Sequence, residues 1–166
     1  MLPPVRIERE QLPDCLAVMA QGYEESAQRF GMTEENCPYR GRTRLPLELL
    51  EREFETGQIY GAFAQGRLVG VLSLQRTGDV LMINDLVVLP CWQRQGIGGG
   101  LLSFALEKAG RLGCRRVRLG MVHDNLRLRR WYEAHGFRTV EVRRFEAVRY
   151  GVGRMELALR PQGDPA

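Results

Sequence analysis

Residues 80–90, VLMINDLVVLP, are a nearly continuous apolar run stopped by Pro90, and QRQGIGGG follows at 93–100. A strand apolar on both faces needs cover on both sides, which is the situation of a central strand in a layered α/β domain. After the glycines, Leu101, Leu102, Ala105, Leu106, Ala109 and Leu112 recur at helical spacing and Gly113 closes the run, which predicts a helix with a glycine cap. This unit of buried strand, glycine-rich turn and helix constrains the fold more than any other part of the chain.

The rest falls into place around it. VRI (5–7) reads as a first strand. Leu12, Leu16, Met19, Ala20 and Tyr23 predict one helix from Leu12 to about Phe30. GMTEENCPYRGRTR (31–44) is polar and reads as a loop, and LPLELLEREFETG as a second helix between Pro46 and Gly57. IYGAFAQGRLVGVLSLQ has the pattern of a hairpin around AQGR. RRVRLGMV is a strand, HDNLRLRRWYEAHG a short helix ended by Gly136, and two strand-like pieces follow at about 137–143 and 153–159. The expectation is a single α/β domain over 1–160, with a mixed sheet of six or seven strands flanked by about four helices, and a frayed tail at 161–166.

Composition narrows the function. The chain has 166 residues and a net charge of +4, too small an excess to suggest nucleic-acid binding. No apolar stretch reaches the roughly 20 residues of a membrane span, and MLPPVRIERE lacks the pattern of a secretory leader. A cytoplasmic protein without membrane attachment is expected. Cys15, Cys37, Cys91 and Cys114 are scattered and accompanied only by His123 and His135, which points to reduced thiols and no metal site.

Free N–H groups and the macrodipole make the start of a helix after a glycine turn a natural place for an anion. A tight turn that binds nothing is the plain alternative. The dinucleotide pattern fails because Leu101 stands where its third glycine belongs, and a phosphate loop fails for want of G-K-[ST]. What remains is Q-x-x-G-x-G, present as Gln93-Arg94-Gln95-Gly96-Ile97-Gly98. Downstream, Asn125 stands at a strand-to-helix junction where Asn is a good N-cap. Tyr132 is seven residues on, about 700° around the helix and so on the same face. Asn125 could simply cap, and Trp131 and Tyr132 could simply pack.

With NDLVVLP, Q-x-x-G-x-G and N…WYEAHGF in this order, residues 58–145 resemble the GCN5-related N-acetyltransferase (GNAT) superfamily. The resemblance implies that acetyl-CoA is the cosubstrate. Its pyrophosphate would lie on the loop of Gln93, Arg94, Gln95, Gly96, Ile97, Gly98 and Gly99, and its pantetheine arm would pair with the strand at Val87, Val88 and Leu89. Asn125 would touch the cofactor and Tyr132 would protonate the departing thiolate. Arg94, and one of Arg127, Arg129 or Arg130, would assist its phosphates. Leu128 departs from the alanine common at that place.

For the general base, Asp85 on the central strand is the first candidate by residue type, with His123, Glu24 and Glu25 behind it. Nothing near Cys91 activates it, so direct transfer to an amine of a small molecule or peptide is expected. The arginines of YRGRTR raise the idea of an acidic acceptor, beside the plainer one of a solvated loop. A non-catalytic acyl-CoA-binding module of the same fold is the alternative, and the resemblance also admits a homodimer.

Overall fold

A computed structural model describes residues 2–161. The chain runs β1 (Val5–Arg6), α1 (Leu12–Gly22), α2 (Glu24–Arg29), α3 (Leu47–Thr56), β2 (Gln58–Ala64), β3 (Arg67–Thr77), β4 (Val80–Val88), α4 (Ile97–Arg111), β5 (Arg116–Val122), α5 (Leu126–Ala134), β6 (Arg138–Arg144) and β7 (Gly151–Ala158). Its strands form one seven-stranded sheet in the order β1-β2-β3-β4-β5-β7-β6. Of the expected tail, residues 162–166 lie outside the described residues. The expected α/β architecture with a mixed sheet is present. Among the described residues there are five α-helices rather than about four, because the helix expected from Leu12 to Phe30 is two.

Packing is tight where the two helices join. α1 crosses β4 so closely that a Cβ on Gly22 would stand 2.1 Å from a Val87 methyl. The helix can cross there only with a bare backbone. Tyr23 itself stays in the right-handed helical region (φ −94°, ψ −7°), donating to the Met19 carbonyl and accepting from the Ala27 N–H, both at 3.0 Å, so α1 and α2 meet at a one-residue turn.

Every sheet contact is antiparallel except β4 with β5. That parallel pairing covers only Val80–Ile83 against Arg116–Leu119. Beyond Ile83 the two strands part, leaving a gap in the middle of the sheet that opens toward Val88 on one side and Val122 on the other.

A bulge fixes what faces that gap. Ser73 pairs with Asp85 but Leu74 pairs with Ile83, so Asn84 is an extra residue in β4. Past it, Asp85 and Val87 turn toward α1, where Val87 meets Gly22. Leu86 and Val88 turn toward α4, where both stand near Gly98. The main core fills both faces, with Leu12, Met19, Leu50, Leu72, Leu101, Leu102 and Met155 among its fully buried members. A satellite cluster of Ala27, Met32 and Tyr150, with Phe30 and Tyr150 edge-to-face at 6.0 Å, joins α2 to the β6–β7 connection beside Val122. This cluster walls the α1 side of the gap.

Candidate functional site: the gap between β4 and β5

The α4 end of the gap is the glycine turn. Gly96 holds φ +85° as the N-cap of α4, a conformation that glycine adopts without strain. The first bond within the helix runs from the Gly100 N–H to the Gly96 carbonyl at 3.0 Å. The N–H groups of Ile97, Gly98 and Gly99 thus lack intrahelical partners. A Cβ on Gly99 would meet no atom within 4 Å, and one on Gly98 would only touch Trp131, Val88 and Leu86 at 3.8–4.0 Å. Packing within the protein does not demand glycine at either place. Their bare backbone faces outward, which is the shape of a cradle for a ligand.

Gln93, Arg94 and Gln95 are exposed, and their side chains divide. The Gln93 amide donates to the Val88 carbonyl at 3.0 Å and the Gln95 amide to the Cys91 carbonyl at 3.2 Å, so both brace the turn. Arg94 adopts φ +59° in the turn.

Of Val87, Val88 and Leu89, only Val88 turns its peptide groups to the gap. Leu89 donates its N–H to Val69 at 2.8 Å, and peptide groups alternate sides along a strand. Val87 therefore also bonds toward β3, while Val88 and Leu86 point away from it. Leu86 is the gap-facing position that motif reading missed, and the pairing register is what reveals it.

Asn125 caps α5, its side-chain oxygen accepting the Leu128 N–H at 3.2 Å. Two turns along, Tyr132 is 5% exposed and packs edge-to-face on Trp131 at 4.9 Å and Phe137 at 5.6 Å. Burial raises its phenol above the ordinary tyrosine range, so it keeps its proton throughout the neutral range.

On the α1 side lies a charge network that no motif announced. The Asp85 side chain is 0% exposed. It accepts from Arg42 Nε to Oδ1 at 2.8 Å and from Nη2 to Oδ2 at 2.7 Å, and the Tyr23 hydroxyl donates to Oδ1 at 2.8 Å. Arg42 also donates to both Glu53 oxygens at 3.0 and 2.9 Å. Burial opposes the Arg42 charge, but the carboxylates outweigh it and raise its pKa. Burial, followed in size by Arg42 acting the other way, leaves Glu53 raised. Tyr23 is raised by burial and then by the Asp85 charge, and Tyr132 is near enough to contribute.

Asp85 thus stands where a base was expected, with both oxygens already engaged. His123 is engaged as well. Arg129 Nη1 lies 2.8 Å from its Nε2 and 3.4 Å from its Nδ1, and donates to its carbonyl at 3.2 Å. Glu24 is paired twice with Arg40, at 2.6 and 3.0 Å. Each arginine of YRGRTR has a carboxylate partner, Arg40 with Glu24, Arg42 with Asp85 and Glu53, and Arg44 with Glu34 at 2.8 Å on the exposed surface. Arg127 and Arg130 are exposed. Cys91 is an exposed free thiol. No group of three or more candidate metal ligands occurs among the described residues, and none of their helices is long and apolar enough to cross a membrane.

Comparison with known proteins agrees with this architecture. Two curated relatives from Bacillus subtilis (strain 168) are described as uncharacterized N-acetyltransferases. YvbK is 29% identical over 92 residues, 55% of this chain and 59% of its own length, and YhfO is 34% identical over 80 residues, 48% of each. The chain therefore spans about half the length of the curated relatives it matches. Among solved structures, the ribosomal-protein-S18-alanine N-acetyltransferase of Escherichia coli superposes with a TM-score of 0.75 at 18% identity, over the whole of both chains. The PaiA N-acetyltransferase of Thermoplasma acidophilum, in complex with coenzyme A, gives 0.79 at 20% identity over 94% of this chain and 98% of its own. These two likenesses are of fold. The model of the acetyltransferase (GNAT) family matches residues 24–137, which take in the gap, the glycine turn and α5, and the chain belongs to that family.

Proposed function

We propose that this protein is an acetyl-CoA-dependent N-acetyltransferase that moves the acetyl group directly from CoA to an amine of a small molecule or peptide. The observation that carries the reading is the split sheet with a bare-backbone cradle at one end and a protonated, buried phenol, Tyr132, beside it. In this reading the amides of Ile97, Gly98 and Gly99 take the pyrophosphate, with Gln93, Arg94, Gln95 and Gly96 shaping the turn. The gap-facing peptides of Leu86 and Val88 pair with the pantetheine arm, and Val87 and Leu89 hold that strand in place. Asn125 fixes the start of α5 near the cofactor.

The chemistry asks for two things at the thioester. The carbonyl oxygen gains negative charge as the amine attacks, and the Val88 N–H, turned into the gap, is placed to donate to it. The departing thiolate needs a proton, with a free thiol near pKa 8.5 as the reference, and Tyr132 holds one. On the amine side, Asp85 reaches an acceptor only through the groups that occupy its oxygens. Cys91 is exposed in the turn and is not needed as an acyl carrier.

Two measurements test this. At a hundredfold excess over its Kd, acetyl-CoA should stabilise the protein by about 2.7 kcal/mol, a rise in Tm of roughly 5–10 °C for a chain of this size. Gly99→Ala should weaken acetyl-CoA binding about tenfold or more without lowering the Tm of the free protein. Alanine has open space there and favours helix by up to about 1 kcal/mol. Absence of any thermal shift at millimolar acetyl-CoA would sink the reading. A wild-type affinity in Gly99→Ala would remove the cradle from it.

A further inference from the structure

The loop between α2 and α3 is the most strained part of the chain, and it leads to the gap. Tyr39, Arg40, Gly41 and Arg42 take φ values of +53°, +48°, +63° and +71° in succession. Only one of the four is glycine, and each of the others pays for a left-handed backbone. The residue that ends this run is Arg42, whose guanidinium spans Asp85 on β4 and Glu53 on α3. Strain of this kind persists only where the surroundings over-determine it. Here the surroundings are two carboxylates from two different elements.

The arrangement fixes Tyr23. Arg42 takes an N–H to each Asp85 oxygen, which orients the carboxylate, and Oδ1 then receives the Tyr23 proton at 2.8 Å. A phenol whose proton is committed in one direction presents its oxygen lone pairs in another. Tyr23 is only partly buried, and it lies at the α1 side of β4 while Tyr132 approaches from α5, the two close enough to influence each other electrostatically. Tyr23 therefore occupies the side of the gap opposite the glycine cradle. The network beneath it holds two carboxylates and one guanidinium, an excess of one negative charge. Of the other loop arginines, Arg40 is paired with Glu24, and Arg44 meets Glu34 in a solvent-exposed pair.

We propose that Tyr23 binds the acceptor: its phenol oxygen, with its proton held by Asp85, accepts an N–H from a cationic primary amine that carries no carboxylate beside it, and Asp85 and Arg42 act as positioning residues. This rests on the transferase reading above and deepens it. The bound ammonium first loses a proton to solvent water. The neutral amine then attacks the thioester carbonyl carbon, and its nitrogen gains positive charge that the excess negative charge below Tyr23 stabilises. It sheds a second proton to water as the C–S bond breaks and the thiolate takes the Tyr132 proton.

The test uses full-length protein, acetyl-CoA and two probe amines of similar basicity, n-propylamine and 3-aminopropanoate, with release of CoA as the readout. The wild type should use n-propylamine at least tenfold more efficiently in kcat/KM than 3-aminopropanoate. Tyr23→Phe should raise the KM for n-propylamine about tenfold or more, with the KM for acetyl-CoA unchanged within twofold. Asp85→Asn combined with Tyr23→Phe should cost no more than the worse single variant, since the two act as one unit. Should Asp85→Asn fail to fold, the KM split of Tyr23→Phe decides alone. An unchanged KM for n-propylamine in Tyr23→Phe, or equal losses for both substrates, overturns the proposal. So does acetyl-CoA binding without transfer to n-propylamine, which leaves the cradle standing. Failure to bind acetyl-CoA at all overturns the reading on which it rests.

Discussion

Tyr132→Phe is expected to lower kcat by about 10²–10⁴, the range for loss of a positioned general acid, while acetyl-CoA affinity stays within twofold. The argument lies in what the substitution keeps. Phenylalanine preserves the edge-to-face packing on Trp131 and Phe137, so α5 and its Asn125 cap stay in place and only the phenolic proton is lost. The pH dependence supplies a second check. Burial raises the Tyr132 pKa, so the proton that the proposed function assigns to the thiolate is retained past pH 10, the ordinary tyrosine value. The wild-type kcat should therefore show no descending limb from this group below about pH 10. The same shift bears on stability. A phenol whose folded pKa is raised contributes stability that is fully present below the unfolded value and is lost as pH rises through the folded one. Tyr132 and Tyr23 both have this sign, so Tm should fall on the alkaline side of pH 10, and Tyr132→Phe should lessen that fall. A variant retaining more than a third of wild-type kcat would remove Tyr132 from the chemistry.

The parts of the site that were legible in the sequence are those built from neighbours in the chain. The apolar run at 80–90, the glycine turn and the α4 periodicity are local patterns, and the structure forms them as a unit. Asn125 and Tyr132 are seven residues apart on one helix, so helical geometry alone puts them on one face. The α1 break was not legible, because Leu12 to Tyr23 keeps a helical apolar pattern up to the break. The close approach of Gly22 to Val87, between residues 65 positions apart, is equally invisible in the local pattern. The bulge at Asn84 is likewise invisible in NDLVV, although it decides which way Asp85 faces. Arg42 is the clearest case. In YRGRTR it looks like its neighbours Arg40 and Arg44, and only the fold brings it to an aspartate 43 residues away. A polar loop composition announces solvent, and here it conceals a buried ion pair.

That ion pair makes Arg42→Met the substitution with the largest expected effect on stability. Removing one partner of a buried pair strands the other charge, at a cost of about 3–5 kcal/mol. The low end applies, since 29% of the Arg42 side chain is exposed while the Asp85 side chain is fully covered. About 3 kcal/mol corresponds to a drop in Tm of roughly 6–12 °C for a chain of this length, readable by calorimetry. Two causes could contribute: the stranded Asp85 charge, and release of the left-handed turn at Tyr39–Arg42 that the guanidinium pins. The double variant Arg42→Met/Asp85→Leu separates them. An apolar pair of similar volume removes the buried charge and is close to neutral relative to an ion pair in many interiors. The raised Glu53 can take up a proton in its partly buried place. If the stranded charge dominates, the double variant should regain at least half of the lost Tm. If the strained turn dominates, it should stay as unstable as Arg42→Met, because neither leucine nor methionine can hold residues 39–42 in the left-handed region. A Tm for Arg42→Met within 2 °C of wild type would show that the network contributes little to stability, and that its geometry serves Tyr23 alone.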